Sequence, residues 1–161
     1  KSELYSIFDM LYKDYEEKRR EYLKNHKRIS EYESENLMYA LIEDVLKDER
    51  FTKLSVISHL PLGNIIRDLH LLDDEEVRYV MNPMTHIDFV IYGKIDKSIL
   101  IAIEVDGYSF HKEGTRQHER DEMKNSILEK YNIPLLRFST TGSGEKERLV
   151  DLLKQVLEIK E

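Results

Sequence analysis

The sequence predicts an α/β domain: a mixed β-sheet, part antiparallel hairpin and part parallel strand–helix–strand, with helices on both faces. Three observations carry this. "HIDFVIYG" and "ILIAIEVDG" are alternating, β-branched runs joined by the short turn "KIDKS", which reads as a hairpin. "IPLLRFST" follows after a helix-length polar segment, so it joins the sheet through a crossover and runs parallel. Apolar residues at helical spacing occupy both ends of the chain.

The elements follow in order. Residues 3–25 read as a helix, with Leu4, Phe8, Leu11 and Tyr15 spaced along one face. "NHKR" interrupts it. Ser30 and Glu33 have capping-box spacing, which starts a second helix running to about residue 48. Its buried stripe is Leu37, Met38, Leu41, Ile42 and Val45, with Glu35 on the flank. "LSVISHL" reads as a strand and "GNIIRDLHLL" as a short helix. After the hairpin, Thr115 caps a helix to about Tyr131. "TGSGEKE" breaks the chain before a last helix that turns Leu149, Leu152, Leu153 and Val156 inward. Residues 1–30 are thus an N-terminal helical extension or junction, and 31–161 the main domain.

Composition narrows the classes. The chain has 161 residues, 40% hydrophobic and 35% charged, which suits one domain with a core and a well-solvated surface. Without cysteine there are no disulfides and no thiolate metal site. No apolar run approaches the ~20 residues of a membrane helix, and no signal peptide is visible. The expected location is cytoplasmic. The chain begins at Lys1, so it reads as a piece of something longer. A net charge of −7 argues against binding nucleic acid through bulk charge. Lys13, Lys18, Arg19, Arg20, Lys24, Lys27 and Arg28 nonetheless share one segment, either as a solvated helix face or as a phosphate-contacting surface.

The hairpin places the acidic groups. A turn centred near Asp96 sets Asp88 opposite Glu104, Val90 opposite Ala102, Tyr92 opposite Leu100 and His86 opposite Asp106. The other face pairs Ile91 with Ile101, Phe89 with Ile103 and Ile87 with Val105, and is wholly apolar. A one-residue slip would scramble that division. Directly opposed carboxylates destabilise a sheet. One of them is therefore protonated, or a divalent cation sits between them, or both point to solvent at a sheet edge. On the following helix, Gln117, Asp121, Lys124, Leu128 and Tyr131 share one face. Its polar members lie beside the carboxyl end of the preceding strand, near Glu104 and Asp106. His111 is within reach of that end, and Arg137 on "LLRFS" can pair with a carboxylate or a phosphate.

The series Asp88, "IEVDG", His111, Asp121 with Lys124, and "IPLLRF" resembles the PD-(D/E)XK nuclease superfamily. The closer likeness is to the branch related to very-short-patch repair endonucleases, whose domains are often appended to superfamily 1 helicases. "SELYSIFDMLY" resembles the junction segment of such helicase-linked chains. The resemblance spans roughly Glu35 to Phe138. It implies a restriction-endonuclease-like fold and a Mg²⁺- or Mn²⁺-dependent hydrolase, a DNA endonuclease linked to DNA repair. DNA would be the partner, with fusion to a helicase. Asp88 and Glu104 match the acidic metal ligands, with the Val105 carbonyl as a further ligand, and Glu35 matches the acidic residue of the first core helix. The position usually held by Lys is Asp106, which would act as a ligand. Lys124 would supply the missing cation, and His111 would polarise water. Gln117, Asp121 and Arg137 would bind the substrate. The alternative is a module of the same fold that binds or regulates without turnover.

Overall fold

The computed structural model describes residues 2–106, 116–139 and 144–158, without the side chains of residues 2, 4 and 5. The elements are α1 (Ser2–Lys24), α2 (Glu33–Leu46), a 3₁₀ turn (Glu49–Phe51), β1 (Leu54–Pro61), α3 (Leu62–Ile65) and α4 (Asp74–Met81). They continue with β2 (His86–Gly93), β3 (Ile99–Asp106), α5 (Arg116–Lys130), β4 (Leu135–Ser139) and α6 (Glu145–Val156). The four strands form one open sheet in the order β1-β2-β3-β4. β1/β2 and β2/β3 are antiparallel and β3/β4 is parallel, the mixed sheet that the hairpin and crossover predict.

Helices cover both faces. On one side Met38, Ile42 and Val45 of α2 and Leu149 and Leu153 of α6 pack on Phe89, Ile91, Ile101, Ile103 and Phe138. On the other, Leu62, Val80, Ile127 and Leu128, from α3, α4 and α5, pack on Val90 and Ala102. Each large aliphatic side chain so buried contributes about 1.5–3 kcal/mol. The central strand β3 is therefore clamped between two apolar layers.

The hairpin register is the predicted one through Phe89–Ile103, Val90–Ala102 and Ile91–Ile101. Tyr92 pairs with Ile99 rather than Leu100, because a bulge adds one residue at the turn. Beneath that turn Asp96 accepts from the Ser98 amide and hydroxyl, and a Cβ at Gly93 would collide with Asp96 Oδ1. Ile87 does not join the apolar face of Phe89 and Ile91; it packs in the opposite layer with Leu62, Ile66 and Val80. Pairing between β2 and β3 ends at Phe89–Ile103 among the described residues, so His86 and Asp106 are not ladder partners.

Other expectations need correction. α2 begins without a capping box: Tyr32 is the N-cap and makes no side-chain cap bond. The preceding turn is held instead by buried Asn36, whose Oδ1 accepts from the amides of Ile29 (2.8 Å) and Ser30 (3.0 Å). The helix expected over "GNIIRDLHLL" stops at Ile65, since Ile66 is extended and Asp68 bonds the His70 amide to form a turn. A helix that periodicity did not suggest, α4, has a full capping box, in which Asp73 and Glu76 bond each other's backbone amides. The Thr115 cap lies outside the described residues. Phe8, Leu11 and Tyr15 of α1 are exposed. α1 is tied to α2 by polar contacts, Arg19 to Glu33 at 2.9 Å and Tyr22 to Asp44 at 2.5 Å. No described helix is long and apolar enough to cross a membrane.

Candidate active site

Where β2 and β3 part, α2, α4 and α5 leave an open cleft of about 620 Å³ at the carboxyl end of β3. It is lined by Glu35, Asp88, Glu104, Val105, Asp106, Gln117, Asp121, Lys124 and Arg137, all named from the sequence. His111 lies outside the described residues.

Asp88 and Glu104 meet as the register requires. The Val105 amide donates to Asp88 Oδ2 at 2.8 Å, so the aspartate bridges the strands where the ladder has stopped. Glu104 is only 5% exposed. Burial pushes its carboxyl up to about 8, and hydrogen bonding and repulsion from Asp88 add to this, while Lys124 pulls the other way. Lys124 Nζ lies 2.6 Å from Glu104 Oε1. The upward direction prevails because one ammonium cannot offset both the loss of water and a second carboxylate at contact.

Asp106 turns toward β4. Its Oδ1 is 3.3 Å from Arg137 Nη1, and the same nitrogen is 3.4 Å from Asp121 Oδ1. Arg137 also donates to Asn125 Oδ1 and to the Asp121 carbonyl. Parallel pairing of Glu104 with Arg137 sets this strand position beside the acidic end of β3. Gln117 donates to Asp121 Oδ1 at 3.2 Å, so α5 presents a connected polar face, as its spacing predicts.

Sequence reading missed the other wall. Tyr79 of α4 donates to the Arg120 carbonyl at 3.3 Å and lines the cleft. Burial, followed by the Glu104 charge, pushes its phenol up to about 12. The signal for α4 was there in Asp73 and Glu76. His59 was also missed, and it faces Glu35 with Nε2 3.2 Å from Oε2. Glu35 Oε2 is buried and has no hydrogen-bond partner among the described residues.

The paired carboxylates, one of them resisting ionisation, form an oxygen donor set suited to a hard divalent cation. The arginines and Lys124 beside them suit an anionic substrate. No curated protein and no solved structure matches the chain. Residues 29–157, which leave out α1, match the family described as "Protein of unknown function (DUF2726)". The chain therefore belongs to the DUF2726 family.

Proposed function

We propose that this domain is a metal-dependent DNA endonuclease with a restriction-endonuclease-like fold, of the PD-(D/E)XK type and nearest its very-short-patch-repair-like branch. The observation that carries the reading is the contact between Asp88 and Glu104, with Lys124 at 2.6 Å from Glu104. Two carboxylates that cannot comfortably ionise together gain most from a divalent cation between them. Asp88, Glu104 and the Val105 carbonyl would hold Mg²⁺ or Mn²⁺. When bound, such an ion acidifies water and offsets charge on the phosphate.

The chain's own residues do the rest. Asp88 grips the Val105 amide and so fixes the end of β3. Lys124 holds Glu104 in one rotamer and brings a positive charge to the floor of the cleft. It takes the place of the lysine that the E-V-D sequence lacks. Arg137, locked by Asp106 and Asp121, offers a preoriented guanidinium to a phosphodiester. Gln117 and Arg120 flank the same wall. The likeness of the first helix to helicase junction segments supports a role beside a helicase in DNA repair.

One observation favours a second reading, a binding or regulatory module without turnover: Lys124, the candidate catalytic cation, is already paired with Glu104. Cleavage of single- and double-stranded DNA with Mg²⁺ or Mn²⁺ tests both readings. Cleavage abolished by Asp88→Ala and by Glu104→Ala supports the nuclease. Cleavage that survives both substitutions overturns it. DNA binding without cleavage supports the second reading.

A further inference from the structure

The cleft carries a second cluster of donors with different chemistry. His86 and Asp88 lie two residues apart on β2, and their side chains approach each other at the edge of the cleft. His59 lies on β1 between the paired positions Ser58–Phe89 and Leu60–Ile87, which sets it opposite Asp88. One ligand atom from each of His59, His86 and Asp88 falls within 4.8 Å of the others. His86 Nε2 is 3.9 Å from Asp88 Oδ1, and the two imidazole rings are 5.2 Å apart. Donors around one tetrahedral ion stand roughly 3–4 Å apart, so small side-chain rotations close the set.

Two further features fit a metal rather than two surface histidines. His86 Nδ1 lies 3.2 Å from the Met84 carbonyl. A carbonyl only accepts, so Nδ1 is the donor there and Nε2 is the nitrogen turned toward Asp88, which is how metal-binding imidazoles are oriented. Behind His59 stands Glu35, whose buried Oε2 lies 3.2 Å from His59 Nε2, within ion-pair reach though not aligned as a hydrogen bond. A small rotation of the ring would complete the carboxylate–imidazole bond that orients a metal-binding histidine through its other nitrogen. His59 reaches this place with φ of 52°, a conformation uncommon for a non-glycine residue in a strand. Both imidazoles remain about 40% exposed, so an ion has a way in.

We propose that His59, His86 and Asp88 form a site for a divalent first-row transition ion of the Zn²⁺, Co²⁺ or Ni²⁺ class, with Glu35 positioning His59. Imidazole nitrogen selects such ions over Mg²⁺, which prefers oxygen. The site shares only Asp88 with the carboxylate pair and does not depend on the nuclease reading.

Titration of the whole chain with Co²⁺, followed by visible absorption, and with Zn²⁺, followed by calorimetry, tests it. Wild type and Glu104→Gln bind one Co²⁺. The double variant His59→Ala/His86→Ala loses at least about 100-fold in affinity, and Glu35→Gln loses roughly 10-fold or more. Circular dichroism checks that the variants fold, and His59→Asn and His86→Asn give a milder pair. A hundredfold excess of Mg²⁺ leaves Co²⁺ in place. Absence of Co²⁺ binding by wild type, undiminished binding by the histidine variants, or displacement by Mg²⁺ each overturns the proposal. Histidine-dependent Co²⁺ binding without DNA cleavage sinks only the nuclease reading. Cleavage with histidine-independent Co²⁺ binding sinks only this one.

Discussion

Lys124 Nζ and Glu104 Oε1 meet at 2.6 Å on the floor of the cleft, with both side chains largely buried. The pair joins α5 to β3, twenty residues apart in sequence, and it is where stability and chemistry are coupled. Lys124→Met removes the cation and leaves an acid in a dry site. The expected cost is about 1–3 kcal/mol, limited because Glu104 can take up a proton. Combining it with Glu104→Gln should cost less than the sum of the two changes, as urea unfolding of the four proteins would show.

Stability of the metal-free protein should depend on Glu104. Its carboxyl sits near 4.5 when unfolded and about 8 when folded, so the folded state binds the extra proton. The contribution of this group is fully present below about 4.5 and is lost as pH rises through about 8. Urea melts between those limits in a chelator should show wild type losing stability relative to Glu104→Gln. Parallel pH profiles for the two proteins would contradict the assignment.

Divalent metal should reverse that trend. A cation at Asp88 and Glu104 displaces the proton, so Mn²⁺ raises the melting temperature more at pH 8 than at pH 6. Thermal scans at both pH values, with wild type and Asp88→Ala, check this. An equal shift in Asp88→Ala would place the ion elsewhere.

Arg137 holds Asp106, Asp121 and Asn125 together. Arg137→Ala should cost about 1–3 kcal/mol and weaken DNA binding. Arg137→Lys should restore little of either, since a point charge cannot span three acceptors. Chemical denaturation and fluorescence anisotropy with labelled DNA give the two readouts.

Asp73→Ala should cost about 1 kcal/mol by opening the α4 capping box. Asp73→Asn should cost less, because its side-chain oxygen still caps the helix. Equal losses in the two variants would mean that the cap bond is not what stabilises α4.

Much of the site was legible because sheet geometry is periodic. Alternation along two strands and one turn sufficed to bring Asp88 to Glu104, and helical spacing brought Lys124 and Asp121 to the same end. What failed was local chemistry that competes with pattern. Ser30 has the spacing of a cap, yet Asn36 closes that turn from within the helix. The short apolar content of α4 hid a helix that its cap announces.

The sequence by itself determined the mixed α/β architecture, the parity of the hairpin and the identity of the acidic cleft, since each follows from repeats of two or 3.6 residues. Only the tertiary structure decided where the β2–β3 ladder stops, which way Asp106 turns, and that His59 and Glu35 stand beside His86 and Asp88. Those outcomes depend on a bulge, a left-handed residue and packing between elements distant in sequence. Such features carry no period, so they become visible only when the chain is folded.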